Sequence, residues 1–211
     1  MTQSFGFDRT QHEDGFQFTQ KWFLGRNRRT FCSYVLPQWA GKPITYLEIG
    51  VFEGMSMVWI MQQILTHPDS RAVGIDPWLQ TRKLGETAMD DVRKRALHNI
   101  EPYQDRCQLI RANSGEVLSR MLWKRGAYGI TKNSVDLCMV DGDHRALGML
   151  ADAKLCLCLV KPGGWLLFDD VENDHEKADH VKHGLAMFLA EHGKEVKQVF
   201  KHKYMEGYEK I

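Results

Sequence analysis

From residue 44 onward, short apolar segments alternate with longer segments of helical length, and this alternation restricts the fold more than any other feature. The strand-like segments cover residues 44–50, 71–77, 107–113, 135–142 and 164–170. The segments of helical length cover residues 54–65, 86–100, 114–123, 145–159 and 178–192. Strands that are joined through helices form parallel sheets. The alternation therefore predicts an α/β fold.

The last two strand-like segments, 196–203 and 207–211, follow each other too closely for a crossover helix. We predict a short turn around Gly207 that pairs them antiparallel. The expected sheet has seven strands, is mostly parallel and has an antiparallel last strand. In such sheets ligands bind beyond the carboxyl ends of the strands, so the residues that follow each strand are the candidates for a site.

Residues 1–43 precede this alternation and are rich in aromatic side chains. A weak helical periodicity runs over residues 16–36, and the stretch from Pro37 to Pro43 ends it. We therefore predict an N-terminal helical appendage, packed on a main domain that covers residues 44–211.

The charge balance argues against a nucleic-acid partner, because 28 basic and 27 acidic residues leave a formal net charge of +1. No apolar run reaches the ~18 residues that a membrane-spanning helix needs, and the polar N-terminus does not resemble a secretory signal. The five cysteines are an odd number and stand mostly in apolar stretches, which indicates free thiols. We expect a cytoplasmic protein with no membrane or nucleic-acid partner.

The first strand carries Glu48 and Gly50 at its end, and Gly54 opens the next helix. Glycine allows unusual backbone torsions and a close approach of a ligand, and the helix N-terminus offers unpaired N–H groups to a carboxylate. The spacing is neither the GxGxxG of dinucleotide sites nor the GxxxxGK[ST] of phosphate-binding loops. A strand–helix turn with incidental glycines is the alternative.

The second and third strands end in residues suited to a nucleoside. Asp76 ends the second strand, where a carboxylate accepts hydrogen bonds from ribose hydroxyls, and Trp78 could stack on an adenine ring. The alternative is a turn aspartate beside a surface tryptophan. Asn113 and Ser114 follow the third strand and could address adenine or ribose, although Ser114 is at least as well suited to cap the next helix.

Acidic residues follow the fourth and fifth strands. Asp141, Asp143 and His144 come after the fourth strand, and Asp169 and Asp170 come after the fifth. Four carboxylates at one sheet edge cannot all stay ionised without a cation or shared protons, and oxygen-rich sites suit Mg²⁺ or Ca²⁺. Solvated loop aspartates are the alternative.

Five motifs in this order make the chain resemble the class I S-adenosylmethionine-dependent methyltransferases: YLEIGVFEGMS, GIDPW, ANSGEVL, VDGDH and KPGGWLLFDD. Within that class it is similar to the metal-dependent O-methyltransferases of the catechol, caffeoyl-CoA and macrocin-like kinds, over about residues 44–211. The resemblance implies a Rossmann-like three-layer sandwich and S-adenosylmethionine as cofactor. It also implies a divalent cation such as Mg²⁺ and methyl transfer to a hydroxyl of a small molecule.

The resemblance further implies roles for the matching residues. Those expected around the cofactor are Glu48, Gly50, Gly54, Ser56, Asp76, Trp78, Asn113, Ser114 and Asp141. Ser56 would offer its hydroxyl to the methionine carboxylate, and Asp76 would hold the ribose. The expected metal ligands are Asp141, Asp169 and Asp170. His144 stands where the catechol-like kind has a lysine, so either His144 or Asp143 would be the base.

Two other functions fit the same sequence: a metal-independent methyltransferase that acts on another atom, and a non-catalytic nucleotide-binding domain of this fold. The N-terminal segment is expected to form a lid over the acceptor or a contact in a homo-oligomer. This segment also contains a cluster of basic residues: Lys21, Arg26, Arg28 and Arg29. The cluster could bind an anionic acceptor, but a solvent-exposed helix face is the more ordinary interpretation. Glu176, His180 and His183 could hold zinc, but an exposed polar helix face is the more ordinary interpretation.

Overall fold

A computed structural model describes residues 15–79, 86–124, 126–171 and 179–211. The strands are β1 (Thr45–Ile49), β2 (Arg71–Asp76), β3 (Cys107–Arg111), β4 (Val135–Val140), β5 (Val160–Phe168), β6 (Val196–His202) and β7 (Met205–Lys210). The longer helices between them are α1 (Met55–Gln63), α2 (Glu86–Ile100), α3 (Ser114–Trp123), α4 (Ala146–Leu159) and α5 (Asp179–His192).

The strands form one sheet in the order β3-β2-β1-β4-β5-β7-β6. β7 runs antiparallel to its neighbours β5 and β6, and the other neighbouring pairs are parallel. The predicted α/β fold, with a mostly parallel seven-stranded sheet and an antiparallel last strand, is confirmed.

Helices cover both faces of the sheet and produce the expected Rossmann-like three-layer sandwich. One apolar core lies between the sheet and α1, α2 and the N-terminal helix, and it includes Trp59 and Ala96. A second core lies between the sheet and α3, α4 and α5, and it includes Leu118, Ala153 and Phe188. β4 is buried along its whole length, as its continuous apolar sequence predicts.

The parallel register brings the ends of the central strands to one edge of the sheet. Ile49 of β1 is level with Ile75 of β2 and Val140 of β4, and Val140 is level with Phe168 of β5. The residues that come next therefore line the carboxyl edge: Gly50, Asp76, Asp141 and Asp169. This is the edge at which open α/β sheets bind their ligands.

The predicted N-terminal helix is present with an irregular backbone, but residues 16–21, where the helical periodicity was expected to start, lie outside it. Residues 23–39 form one continuous helical run, in which two π-helical turns, Phe23–Asn27 and Phe31–Val35, alternate with short α-helical pieces. The prediction that Pro37 begins the end of this helix is wrong, because the helix continues to Trp39. Pro37 directly follows the second π-helical turn and stands at the start of the last α-helical piece.

The N-terminal helix packs into the core of the domain. Phe31 meets Trp59 of α1 edge to face, with ring centroids 5.8 Å apart. Trp39 meets Trp165 of β5 in the same way, also at 5.8 Å. The helix therefore packs against residues from both the first and the second half of the chain, and its expected roles as a lid or an oligomer contact stay predictions.

β5 begins earlier than its sequence predicts. It starts at Val160 rather than at residue 164, and it includes the Pro-Gly-Gly stretch that was expected to separate helix from strand. The pairing of β5 with β4 shifts between Val135 and Leu137. Such an irregularity accommodates extra residues in one of two paired strands.

The turn between β6 and β7 lies at Lys203 and Tyr204, so the prediction of a turn around Gly207 is wrong. Lys203 adopts a φ of +56° and makes the turn without a glycine. Gly207 lies within β7, opposite Phe200, and a Cβ at Gly207 would overlap the Phe200 ring. Glycine is needed here for packing rather than for the turn.

Among the described helices, none combines the length and the apolar character that crossing a membrane requires. The cysteines carry free thiols, as predicted, and three of them are buried: Cys107, Cys138 and Cys156.

Replacing Gly207 by valine is expected to lower the free energy of unfolding by about 1–3 kcal/mol, because the new side chain must displace the Phe200 ring. Thermal unfolding followed by circular dichroism measures the effect. Gly25→Ala is the control, since a Cβ at Gly25 meets no atom within 4 Å and alanine favours a helix by about 0.5–1 kcal/mol. An unchanged melting temperature for Gly207→Val would contradict the packing role.

Candidate active site

The loops after β1 and β4 are in direct backbone contact at Gly50. A Cβ on Gly50 would overlap the carbonyl of Asp141, and its φ of +89° is in the left-handed region. The N–H group of Asp141 donates to the carbonyl of Ile49 at 2.9 Å. Gly54, with a φ of +77°, then precedes the first turn of α1. The glycines predicted from the sequence are therefore required by the backbone.

Asp76 organises the loop after β1. Its Oδ2 accepts hydrogen bonds from the N–H groups of Val51 at 3.0 Å and Phe52 at 2.9 Å, and its Oδ1 accepts from the N–H group of Trp78 at 2.7 Å. Burial raises the pKa of this carboxyl, and the three N–H donors oppose that rise. A carboxylate has about four acceptor sites, so about one remains for the predicted ribose hydroxyl.

Trp78 supports the same loop from within the protein. Its side chain is 1% exposed, and its Nε1 donates to the carbonyl of Phe52 at 2.9 Å. The interpretation of Trp78 as a surface residue is therefore wrong. Stacking on an adenine ring would require the indole to be uncovered.

Glu48 and Ser56 flank residues 50–54, the loop between β1 and α1 that contains Gly50 and Gly54 and is called the glycine loop here. Glu48 is 1% exposed and accepts hydrogen bonds from the hydroxyls of Ser56 and Tyr46, the latter at 2.6 Å. Burial raises the pKa of Glu48 to about 8, and the charges of Asp141 and Asp76 add to the effect. A cationic ligand would favour the ionised carboxylate again, which fits the expected place beside the methionine part of a cofactor.

The residues after β3 divide their roles differently from the prediction. Asn113, rather than Ser114, caps α3, because its Oδ1 accepts from the N–H group of Gly115 at 3.0 Å. Ser114 hydrogen-bonds to the carboxyl of Asp152 on α4. Burial raises the pKa of Asp152 to about 6. Asp152 was not among the predicted site residues, although a lone acid near the middle of an apolar helix is a usable signal.

Glu53 joins the glycine loop to both the N-terminal segment and α2, and it too was missed. Its carboxylate accepts from the N–H group of Thr19 at 2.7 Å and from Nε of Arg95 at 2.6 Å. It is 2% exposed, so the buried charge is paired. Its position between two loop glycines was the signal in the sequence.

His144 lies between two of the predicted metal ligands. Its Nε2 is 3.3 Å from Oδ1 of Asp141, and its Nδ1 is 3.7 Å from Oδ2 of Asp170. These three residues offer ligand atoms that all lie within 4.8 Å of one another. The hydrogen bond to Asp141 raises the pKa of His144 to about 9, so the imidazole is protonated at neutral pH in this arrangement.

Asp169, the third expected ligand, stands slightly apart from that group. It is 6% exposed, and its Oδ2 accepts from the side-chain amide of Asn27. Its Oδ1 is buried and has no hydrogen-bond partner among the described residues. Burial, together with the charges of Asp141 and Asp170, raises the pKa of Asp169 well above its ordinary value.

Asp143, the other candidate base, is engaged by its neighbour Arg145. Its carboxylate accepts from the N–H group of Arg145 at 2.9 Å and from the guanidinium at 2.6 Å. These bonds lower the pKa of Asp143 and weaken it as a base. Neither base candidate is poised to take a proton in this arrangement, and the choice between them stays open.

The helix face that was considered for zinc lies at the start of α5. His180 and His183 line a surface cleft there together with Lys182 and Ala186, while Glu176 lies outside the described residues. The two histidines are exposed, in keeping with a polar helix face.

The chain matches the family of methyltransferase domains over residues 47–171. It is 26% identical to methyltransferase str2 of Strobilurus tenacellus over 154 residues, which cover 71% of this chain and 45% of that protein. The chain spans about half the length of the curated relatives it matches.

Among the solved structures that share the fold are a protein from Corynebacterium glutamicum and the calicheamicin methyltransferase CalS11. The protein from Corynebacterium glutamicum superposes with a TM-score of 0.60 at 13% sequence identity. The superposition covers 95% of this chain and 85% of the Corynebacterium chain. CalS11 superposes with a TM-score of 0.58 at 13% sequence identity. The superposition covers 87% of this chain and 77% of the CalS11 chain. At such identities the likeness shows the fold alone.

Glu48 makes the stability of the ligand-free protein depend on pH. Its pKa is about 8 in the folded chain and about 4.3 in an unfolded one, so its contribution to stability is complete below about pH 4.3 and is lost progressively as the pH rises to about 8. Glu48→Gln stays neutral at every pH. Its melting temperature relative to wild type should therefore rise by several degrees between about pH 6 and about pH 9.

The control is Glu101→Gln, which changes an exposed glutamate in the same way. Its melting temperature should follow the wild type at both pH values. An equal offset for Glu48→Gln at the two pH values would show that burial of this carboxyl does not govern the pH dependence.

Proposed function

Because the chain belongs to the methyltransferase domain family, within the class I S-adenosylmethionine-dependent methyltransferases, we propose that it transfers the cofactor's methyl group to a hydroxyl of a small molecule. The observation that carries the proposal is the meeting of a glycine loop and several acids at one sheet edge: Gly50, Asp76, Asp141, Asp169 and Asp170. The formal net charge of +1 supports a small-molecule acceptor rather than a nucleic acid. The free cysteines support a reducing, cytoplasmic setting.

The cofactor would lie along the glycine loop. Gly50 leaves room for a close approach, and Glu48 and Ser56 offer a carboxyl and a hydroxyl to the amino-acid end. Asp76 would receive a ribose hydroxyl at its remaining acceptor site. A sulfonium cation in this place would lower the cost of keeping several buried carboxylates close together.

The acids beside this loop fit a divalent cation. Asp141, Asp169 and Asp170 would hold it, since carboxylate oxygens are the ligands that Mg²⁺ prefers. Oδ1 of Asp169 is buried and finds no hydrogen-bond partner in the described part of the chain, which supports this fit. When bound, such a cation would lower the pKa of a coordinated hydroxyl.

The transfer forms a bond between an acceptor oxygen and the methyl carbon and breaks the bond between that carbon and sulfur, which leaves S-adenosylhomocysteine. The proton of the hydroxyl would pass to His144 or Asp143; for His144 this requires that a cation held by Asp141 and Asp170 first lowers the raised pKa of the imidazole. The methyl group is already activated, so the main task of the protein is alignment, which can supply several kcal/mol.

A metal-independent methyltransferase is the second candidate. It is favoured by the position of His144, because a protonated imidazole between Asp141 and Asp170 already compensates part of their charge. In that case the acceptor atom need not be a hydroxyl.

S-adenosylhomocysteine at about 100 times its dissociation constant should raise the melting temperature by roughly 5–10 °C. Ser56→Ala, which removes a hydroxyl next to the loop, should bind about five-fold more weakly and shift less, since one hydrogen bond is worth about 1 kcal/mol. Gln62→Ala at the other end of α1 is the control and should behave as wild type. Absence of any shift in the wild-type protein would overturn the assignment of the cofactor.

Chelation separates the two candidate functions. With a panel of hydroxylated small molecules, EDTA should abolish the release of S-adenosylhomocysteine, and added Mg²⁺ should restore it. Asp169→Ala should lose at least about 100-fold in turnover, as expected for loss of a metal ligand. Turnover that survives EDTA would favour the metal-independent enzyme.

A further inference from the structure

The N-terminal helix presents every fourth residue to the domain. Phe23, Phe31, Val35 and Trp39 are buried in the apolar core, and Asn27 occupies the remaining position of this row. In a regular α-helix a spacing of four drifts by about 40° per step, or roughly 160° over four steps. A regular helix would therefore turn either Phe23 or Trp39 away from the domain.

Two π-helical turns remove this drift. In each turn a backbone N–H group bonds to the carbonyl five residues earlier, from Arg28 to Phe23 and from Leu36 to Phe31. Such wider turns are rare and occur frequently at functional sites. They keep the row on one side of the helix and so hold Asn27 against the domain.

Asn27 is the polar member of this otherwise apolar row. Its Nδ2 donates to Oδ2 of Asp169, which lies 142 residues further along the chain. A half-buried amide is retained where it has a hydrogen-bond partner. The contact fixes one oxygen of Asp169 and therefore the orientation of the whole carboxylate.

The other oxygen of Asp169 is left available. Oδ1 is buried without a partner among the described residues, next to the charges of Asp141 and Asp170. An amide donor is neutral, so it orients Asp169 without cancelling its charge. A lysine or arginine at the same place would form an ion pair and compete with a cation.

We infer that Asn27 is a positioning residue that holds Asp169 with one oxygen presented to a divalent cation. The inference rests on the proposed metal-dependent function. It makes the N-terminal helix part of the site, because the cation would bind tightly only when this helix is docked.

The test measures Mn²⁺ binding and S-adenosylhomocysteine binding separately, by calorimetry on the full chain. Asn27→Ala should weaken Mn²⁺ binding by about ten-fold or more, as loss of a residue that orients a metal ligand does, while S-adenosylhomocysteine affinity stays within about two-fold of wild type. Thr30→Ala is the matched control, because Thr30 lies on the same helix and hydrogen-bonds to His202 at 2.8 Å. It should change neither affinity.

The outcomes are distinguishable. Equal Mn²⁺ affinities for Asn27→Ala and wild type would overturn the inference and leave the proposed function intact. Wild-type protein that binds S-adenosylhomocysteine but no Mn²⁺ would overturn both the inference and the metal dependence. If Asn27→Ala does not fold, Asn27→Leu, which suits the apolar row, should show the same selective loss of Mn²⁺ binding.

Discussion

The rest of the structure depends on the contact between the backbones after β1 and β4. At Gly50 the two chains approach so closely that no side chain fits between them. The parallel register then brings Asp76, which is buried, and Asp141, which is partly buried, to either side of this contact. Their carboxyls have raised pKa values because burial disfavours the charged form. Under the proposed function, a cationic ligand at this edge would favour the ionised carboxylates again.

The alternation of strands and helices was sufficient to predict the fold, because each strand and helix is long and its apolar pattern is local. The parts that were not predictable depend on contacts between distant residues. From the sequence, Gly207 indicates a turn; only the structure shows that it lies beside the Phe200 ring. From the sequence, Pro37 indicates a helix end, but in the structure a π-helical turn precedes it and the helix continues to Trp39.

The candidate site was predictable to the same extent. Residues that follow parallel strands must share an edge, so the glycine loop and the acids could be located from the sequence. The direction of each side chain could not, and this is why the burial of Trp78 and the cap at Asn113 were missed. Asn27 lies far from the motifs, although a lone amide in an apolar row of every fourth residue is a signal that can be read in other sequences.

The docking of the N-terminal helix has a consequence for biosynthesis. Asn27 and Thr30 contact residues that are 142 and 172 positions later in the chain. At about 5–20 residues per second, this helix leaves the ribosome roughly 10–30 s before its partners. During that interval the apolar row lacks Trp165 of β5, which covers Trp39 in the folded domain, and is a candidate for chaperone binding. Assembly of the acidic edge is therefore among the last events in the maturation of the nascent polypeptide.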